Sequence, residues 1–426
     1  MGKRKIAVAV TNRAPYGRLK PVLRAIQNHP DLELQIIVTT PTILHSLWFS
    51  LKHGRIASLR ATLPSFIRTY GKVRLGGKKA RSKLDVTSQL LIADGFEIAA
   101  HVPAFVAGGN VATMTKSVAA SLLALPDVLG ELKPDILLVH ADRFEMLSFA
   151  VAGALINIPV AHTQGGDVSG TIDETVRHAI TKLAIYHFPT TQKSKERIIR
   201  MGEDPKAVFL TGCPTIDALK ALDLNDIKGI YARNHQGDGE KIDFTKPYCL
   251  VMYHPVTTDA TKSEEGMREM LEALKAIALP TLLFSPNIDA GTDKATSLLR
   301  SFIERHELPV LNVQKNFTPD DFYRVLNTAS VAIGNSSSFI REASYLGTPC
   351  VIIGNRQEGR EHADNALFVD TKRDAIVDAI QKQLSHGRYE KSDLYGDGNA
   401  AKRIADILAT VELPPPQKKF HGVKLT

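Results

Sequence analysis

Long apolar runs and paired cysteines are both missing from this sequence of 426 residues. No window approaches the ~20 apolar residues that a membrane-spanning helix needs, so we expect no transmembrane segment. The apolar stretch near the start, residues 6–10, is too short for a signal peptide and is typical of a first core strand. The three cysteines are far apart and lie beside apolar residues, which favours reduced thiols over a disulfide frame or a metal site. We therefore expect a cytoplasmic protein.

Acidic residues are absent from residues 34–84. The same window holds ten basic residues, two more than the net charge of +8 that the whole chain carries. These residues are Lys52, Arg55, Arg60, Arg68, Lys72, Arg74, Lys78, Lys79, Arg81 and Lys83. The remainder of the chain is therefore slightly acidic, and the basic character belongs to one segment rather than to the fold.

Short β-branched runs alternate with helical patterns along both halves of the chain, which predicts strands of parallel sheets that are buried on both faces. We expect an α/β fold of two Rossmann-like domains, with the ligand in a cleft between them at the carboxyl ends of the strands. The domains are placed at residues 1–205 and 206–395, with a linker near 205–245. The last helix, about 396–412, is expected to pack on the first domain.

The alternating pattern includes one strand near the middle of the chain and one helix in its second half. The run "AVFLTG" predicts a strand over residues 207–212, and "SSFIREASYLG" predicts one helix over residues 337–347.

The first candidate binding site follows the strand "SVAIGN". Ser336 and Ser337 open the next helix, where free N–H groups, hydroxyls and the helix dipole suit a diphosphate. Glu342, a little under two turns further, could accept hydrogen bonds from ribose hydroxyls. The alternative is a plain serine N-cap.

Other polar residues follow strands in the same way. His254 stands at a strand end, and its alternative is a histidine bonded to a backbone carbonyl in a turn. Asn287 could contact a base or sugar, although Asx-turn chemistry explains it equally well. Arg13 could bind phosphate or lie on the surface. Arg356 and Arg360 fall on the rim beside the serine site.

Asp142 follows a strand of purely apolar residues. A carboxylate at the mouth of a buried strand can have its pKa raised by desolvation and can then act as an acid or a base. The alternative is an N-cap for the helix that starts at Phe144.

The stretch from Gln164 to His178 crowds titratable groups after another strand. Asp173 could be the N-cap of a helix beginning near Glu174, with Arg177 and His178 one turn further. An anion would be attracted to this helix N-terminus.

The segments "LKPDILLVHADRFEML", "GTIDETVRHAITKLAIYHF", "HPVTTD", "IGNSSSFIREASYLGTP" and "RQEGRE" occur in this order within residues 12–410. With them the sequence resembles the hydrolysing UDP-N-acetylglucosamine 2-epimerases of sialic acid pathways, including the epimerase half of the bifunctional epimerase/N-acetylmannosamine kinase. The resemblance implies a glycosyltransferase-B type of fold. It implies cleavage of a UDP-sugar to UDP and a free 2-epimerised sugar, typically N-acetylmannosamine. It implies no redox cofactor and no metal, and a homodimer or homotetramer.

The resemblance also implies residue roles. Elimination of UDP needs a base for the C2 proton and a site for the departing diphosphate, and hydration of the glycal again needs an acid and a base. Asp142 and Asp173 would transfer protons, while His178 and His254 would assist the leaving group or orient the sugar. The substrate-holding groups would be Arg13, Ser336 and Ser337 for the diphosphate and Glu342 for the ribose.

Two features depart from the family pattern. Many relatives read His-x-Glu-Gly-Gly where this chain reads "HTQGG", so Gln164 replaces a catalytic acid and can only hydrogen-bond. Either the remaining acids suffice or Asp167 substitutes. The basic segment within residues 45–90 is longer than the family's connection and looks like an insertion. It could form a lid, a subunit contact, a membrane-surface patch at 45–84 or a solvated excursion.

Two other functions fit the same patterns. One is a glycosyltransferase of the same fold, because fold does not fix function. The other is a catalytically weak sugar-nucleotide-binding protein, which Gln164 favours; a nucleic-acid partner is not expected. A 2,4-diacetamido sugar and a GDP-linked substrate both remain open.

Overall fold

The computed structural model describes residues 2–11, 13–41, 85–106, 111–234, 237–254, 260–285, 298–299, 301–302, 304, 310–413 and 418–422. The chain divides into two compact units. Unit 1 comprises Met1–Gly166, Val176–Leu210 and Ala401–Thr426. Unit 2 comprises Asp167–Thr175 and Thr211–Ala400. The sequence had placed residues 167–175 in the first domain, but their contacts belong to unit 2.

Unit 1 contains a six-stranded parallel sheet in the order β3-β2-β1-β4-β5-β6. Its strands are β1 (Arg4–Val10), β2 (Leu32–Pro41), β3 (Ile98–Phe105), β4 (Ile136–His140), β5 (Val160–Thr163) and β6 (Tyr186–Phe188). The strand order reverses between β1 and β4. In open α/β sheets, ligands bind outside the carboxyl ends of the strands at such a switch point.

Unit 2 repeats this arrangement in the order β13-β12-β11-β8-β9-β10-β7, in which only the edge strand β7 is antiparallel to its neighbour. Its strands are β7 (Gly237–Gly239), β8 (Cys249–Met252), β9 (Thr281–Phe284), β10 (Leu311–Gln314), β11 (Val331–Gly334), β12 (Cys350–Ile353) and β13 (Ala366–Val369). The switch point of this sheet lies between β8 and β11.

Helices cover the faces of both sheets, as parallel strands require. The described α-helices are α1 (Arg13–Asn28), α2 (Val86–Ala93), α3 (Val111–Leu132), α4 (Phe144–Leu155), α5 (Ile172–Leu183), α6 (Gln192–Arg200), α7 (Pro214–Ala221), α8 (Ile230–Arg233), α9 (Ala260–Ile277), α10 (Pro319–Thr328), α11 (Arg341–Leu346), α12 (Arg373–His386) and α13 (Ala400–Thr410). Among the described helices none is long and apolar enough to cross a bilayer.

Each sheet has one buried core on either face. In β1, Ile6 and Val8 pack with the inner faces of α1 and α13, while the intervening Ala7 packs with α3 and α4 on the other face. This alternation is the period of two that a strand imposes. In unit 2, α7, α10 and α11 cover one face and α9 and α12 the other.

Two predicted elements differ from the structure. Residues 207–212 form no strand among the described elements: Pro205–Ala207 is a 3-10 turn, and Val208 makes only an isolated bridge to His187. The single helix expected over 337–347 is a 3-10 turn, Ser337–Phe339, followed by the short α11. Apolar periodicity does not distinguish 3-10 from α-helical turns over so few residues.

Arg233 and Asn234, which fall within the predicted linker near 205–245, are held in unit 2 by Asp321. The Asp321 carboxylate is fully buried and accepts hydrogen bonds from Arg233, Asn234 and Arg324. Burial raises the pKa of Asp321, but the bonds from its three partners outweigh burial and hold it below its ordinary value. This part of the predicted linker is therefore attached to α10 rather than being a free connection.

We predict that Asp321→Asn lowers the free energy of unfolding by about 3–5 kcal/mol at pH 7, because it breaks a buried ion pair. The pKa of Asp321 is lower in the folded state than in the unfolded chain. This contribution is therefore fully present above about pH 4 and is lost as the pH falls further. Urea unfolding at pH 7 measures the loss of stability in Asp321→Asn.

The control is Asp374→Asn, which removes an exposed carboxylate paired with Arg373 and should change stability by less than about 0.5 kcal/mol. Equal effects of the two variants would contradict the assignment.

Candidate active site

The carboxyl end of β4 places Asp142 at the switch point of the unit 1 sheet. Ala141 has a left-handed backbone with φ of 59°, which a residue other than glycine adopts at a cost of about 1–2 kcal/mol. The Asp142 carboxylate accepts a hydrogen bond from the guanidinium of Arg177, whose side chain is only 1% exposed. The N-cap of α4 is Arg143, so the alternative role of Asp142 as an N-cap is wrong.

Asp142 and Arg177 come from β4 and α5, and their pairing determines the charge of this part of unit 1. A guanidinium stays protonated in proteins and must be compensated when it is buried. An adjacent cation also favours the ionised form of a carboxylate. The pair therefore supplies an ionised carboxylate at a strand end, and this is the form that can accept a proton.

The left-handed turn at Ala141 is held by His162 of β5. His162 Nε2 lies 2.8 Å from the Ala141 carbonyl oxygen, and Nδ1 lies 3.2 Å from Thr181 Oγ1 on α5. Burial lowers the pKa of His162 to about 3, so the imidazole is neutral. Because a carbonyl only accepts, Nε2 carries the proton and Nδ1 accepts from the threonine hydroxyl. His162 and Thr181 were not among the residues predicted from the sequence.

Gln164 directly follows β5 and has the same unusual conformation, with φ of 60°, and its side chain is buried. Its N–H donates to the Phe188 carbonyl at 3.0 Å. Gly166 follows with φ of 80°, and a Cβ there would lie 2.3 Å from the Ser194 carbonyl oxygen. Two adjacent strands of unit 1 are thus each followed by a left-handed residue, and such strain is concentrated at functional sites.

Helix α5 begins at Ile172, so Asp173 lies in its first turn and is not the N-cap that the sequence suggested. Asp173 and His178 are half-buried, whereas Arg177 is buried. The first residues of α5, up to Thr175, belong to unit 2, and the helix from Val176 belongs to unit 1.

His254 follows β8 at the switch point of the unit 2 sheet and is 7% exposed. Its backbone is bonded to the side chain of Asn335, which follows β11. Arg356 donates to the carbonyl oxygen of Asn335 at 3.0 Å. The predicted residues His254 and Arg356 are thus brought together in unit 2 through Asn335.

The serine site is partly used within the protein. Ser336 caps the 3-10 turn by accepting from the Ser338 N–H at 3.3 Å. Ser337 Oγ accepts from Arg341 Nη2 at 2.9 Å. Burial lowers the pKa of Arg341, but its interactions with Glu342, Cys213, Asp167 and Tyr395 raise it above its ordinary value. Glu342 is 1% exposed, with Oε2 4.0 Å from Arg341 Nε. Arg341, which was not predicted from the sequence, brings a buried positive charge to this site.

Arg360 is buried and lies 3.9 Å from the Asp167 carboxylate, with Nε 3.4 Å from the Val168 carbonyl oxygen. Asp167, suggested as a replacement acid for Gln164, is therefore paired with a guanidinium in unit 2.

The structure leaves several predicted residues untested. Arg13 begins α1, but only its backbone is described. Asn287 and the basic residues between 42 and 84 lie outside the described residues. Within the described part of the chain, no three His, Cys, Asp or Glu side chains gather as a metal site. All three cysteines are buried free thiols, and burial raises the pKa of Cys249 to about 12.

Comparison with known proteins gives a consistent result. Residues 78–409 match the family described as UDP-N-acetylglucosamine 2-epimerase. A UDP-N,N'-diacetylbacillosamine 2-epimerase (hydrolyzing) from Legionella pneumophila is 30% identical over 410 residues, which cover 96% of this chain and 97% of that protein. A UDP-N-acetylglucosamine 2-epimerase from Neisseria meningitidis is 27% identical over 430 residues, which cover 99% of this chain and 100% of that protein.

A solved structure shares the fold. The Methanocaldococcus jannaschii UDP-GlcNAc 2-epimerase, crystallised with UDP-GlcNAc and UDP, matches with a TM-score of 0.72 and 16% identity, covering 95% of this chain and 99% of that one. The two α/β units thus define a glycosyltransferase-B type of fold. The chain belongs to the UDP-N-acetylglucosamine 2-epimerase family, and the resemblance found in its motifs is confirmed.

We predict that His162 makes unit 1 less stable in mild acid. The pKa of His162 is about 3 when folded and about 6.5 when unfolded, so the unfolded chain binds the extra proton as the pH falls below 6.5. Between pH 8 and pH 5 this removes about 2 kcal/mol of stability. Urea unfolding of His162→Gln should show a pH dependence that is smaller by that amount. At pH 8 the imidazole is neutral in both states, which gives an internal reference. An unchanged slope would contradict the neutral assignment.

Proposed function

We propose that the protein is a hydrolysing 2-epimerase that converts a UDP-N-acetylhexosamine to UDP and the free 2-epimerised sugar. The observation that carries the proposal is the pairing of the Asp142 carboxylate with buried Arg177 at the switch point of unit 1, in a chain of this family. UDP-N-acetylglucosamine is the first candidate substrate and N-acetylmannosamine its product, for the biosynthesis of sialic-acid-like sugars.

The proposed reaction has two stages. A carboxylate takes the proton from C2, the C1–oxygen bond breaks, and UDP leaves with the bonding electron pair, which leaves a glycal with a C1–C2 double bond. Water then adds its hydroxyl to C1, and a proton returns to C2 on the opposite face. The sum is UDP-sugar plus water giving UDP plus the 2-epimer. No step requires an oxidant or a reductant.

Asp142 and Asp173 are proposed to transfer the protons, since a positioned carboxylate is an effective acid or base. His178 and His254 are proposed to assist departure of UDP or to orient the sugar. Gln164 is proposed to act only as a hydrogen-bonding group, because an amide exchanges no proton at neutral pH.

The nucleotide-holding groups are assigned to unit 2 and to the start of α1. Stabilising charge that develops on a leaving group is often the largest catalytic contribution. The proposed residues are Arg13, Ser336, Ser337, Arg356 and Arg360 for the diphosphate, Glu342 for the ribose and Asn287 for the base or sugar.

A second substrate is favoured by a specific observation. The relative with 30% identity over nearly its full length is named for UDP-N,N'-diacetylbacillosamine, a 2,4-diacetamido sugar. The test is proton NMR of the products formed from a panel of UDP- and GDP-linked N-acetylamino sugars without any acceptor. Release of UDP with a free 2-epimer supports the proposal. Turnover that occurs only with an acceptor would show a glycosyltransferase instead.

We predict that Asp142→Asn lowers kcat by about 10²–10⁴-fold, since it removes the proton acceptor. Steady-state kinetics with the substrate found in the panel measures it, and UDP affinity should change by less than threefold. Asp135→Asn is the matched control: Asp135 precedes the same strand and accepts from the Lys5 N–H at 2.7 Å. It should retain kcat within twofold. Full turnover by Asp142→Asn would remove the assignment.

We predict that Gln164→Glu does not raise kcat by more than about twofold, because the two aspartates already supply the proton transfers. Turnover per folded enzyme measures this. A tenfold or larger gain would mean that the protein lacks a catalytic acid that its reaction can use.

A further inference from the structure

Asn335 joins the carboxyl ends of β8 and β11, the two strands at the switch point of unit 2. Its side chain is 1% exposed and bonds both backbone groups of one residue. The His254 N–H donates to Asn335 Oδ1 at 2.7 Å, and Asn335 Nδ2 donates to the His254 carbonyl oxygen at 2.8 Å. The amide therefore continues the pairing of the two strands by one more residue, where the chains leave the sheet.

The main chain of Asn335 serves a second set of partners. Its carbonyl oxygen accepts from Arg356 Nη1 at 3.0 Å and from Gln357 Nε2 at 2.9 Å. Its N–H donates to the Met252 carbonyl oxygen at 3.2 Å. One residue thus connects the loops that follow β8, β11 and β12.

Close approach of the two strands requires the preceding glycine. Gly334 has φ of 141°, and a Cβ there would lie 2.1 Å from the Met252 carbonyl oxygen. At this spacing an asparagine reaches both the N–H and the carbonyl of His254. An amide offers a donor and an acceptor together, whereas an aspartate side chain only accepts when ionised.

We propose that Asn335 is a positioning residue of the active site, whose side chain fixes His254 while its carbonyl oxygen fixes Arg356. This rests on the proposed function, in which His254 assists departure of UDP. The side chain and the main chain of Asn335 bond different residues. The side chain bonds the histidine, and the main-chain oxygen remains available to Arg356 after any substitution. Removing the side chain should therefore disturb His254 and spare Arg356.

The test compares Asn335→Ala with Asn365→Ala. Asn365 is a matched control because it is 2% exposed and donates to the Thr348 carbonyl oxygen at 2.8 Å. It precedes β13 and so lies at the amino edge of the same sheet, away from the site. Both variants should unfold at lower urea concentration. Only Asn335→Ala should lower kcat at least tenfold, with KM and the Kd of UDP changed less than threefold. Equal kcat values for the two variants would overturn the proposal.

A double substitution shows whether Asn335 acts through His254. In the His254→Ala background, adding Asn335→Ala should change kcat less than twofold, because the group to be positioned is already gone. A further tenfold loss in that background would mean that Asn335 acts elsewhere. If Asn335→Ala does not fold, Asn335→Ser retains one hydroxyl and is judged by the same comparison.

Amide hydrogen exchange at His254 provides a measurement that does not depend on turnover. Exchange should accelerate at least tenfold in Asn335→Ala and stay unchanged in Asn365→Ala. If the wild type turns over no nucleotide sugar, the proposed function fails, and exchange alone decides whether Asn335 holds His254. If exchange at His254 is unaffected, the positioning proposal fails whatever the turnover.

Discussion

Burying the guanidinium of Arg177 is the constraint on which the organisation of unit 1 depends. A charge that is 1% exposed requires a partner, and Asp142 of β4 supplies it. The pair ties α5 to the end of β4. A second connection between the same elements runs from Thr181 through neutral His162 to the Ala141 carbonyl. The turn that presents Asp142 is therefore held from both sides, which maintains an uncommon left-handed alanine.

In unit 2, a neutral side chain rather than an ion pair holds the residue that follows a strand at the switch point. Its sheet reverses strand order between β8 and β11, as unit 1 does between β1 and β4. There a neutral amide, Asn335, bridges the diverging strands and holds the backbone of His254. The buried Arg341 places positive charge beside the serines that follow. Unit 1 thus presents an ionised carboxylate, whereas unit 2 presents hydrogen-bond donors and cations, the groups that suit proton removal and diphosphate binding respectively.

The sequence predicted the architecture well because parallel strands buried on both faces produce short continuous apolar runs between helical patterns. It also located Asp142 and His254 as strand-end residues. It could not predict how they are held. Asp142 and Arg177 are 35 residues apart, and nothing in an alanine indicates a left-handed turn at Ala141.

Other errors have local causes. The apolar run at 207–212 is typical of a strand, but only Val208 forms a bridge. Its partner is His187 of β6, a strand of only three residues. From the sequence, Asn335 was predicted only as the end of a strand. Its role depends on the close approach of β8, a tertiary feature that periodicity does not record.

Gln164 constrains the proposed chemistry most sharply, since it is a buried amide at the position where the motif resemblance implied an acid. We therefore assign proton transfer at C2 to Asp142 and Asp173, as proposed above. The central claim is that the C2 proton is removed and then replaced, and its most direct measurement is the reaction of the UDP-sugar in D₂O, followed by proton NMR and mass spectrometry of the free sugar. Elimination and rehydration predict one deuterium at C2 of every epimerised product molecule. Retention of the original proton at C2 would contradict the account.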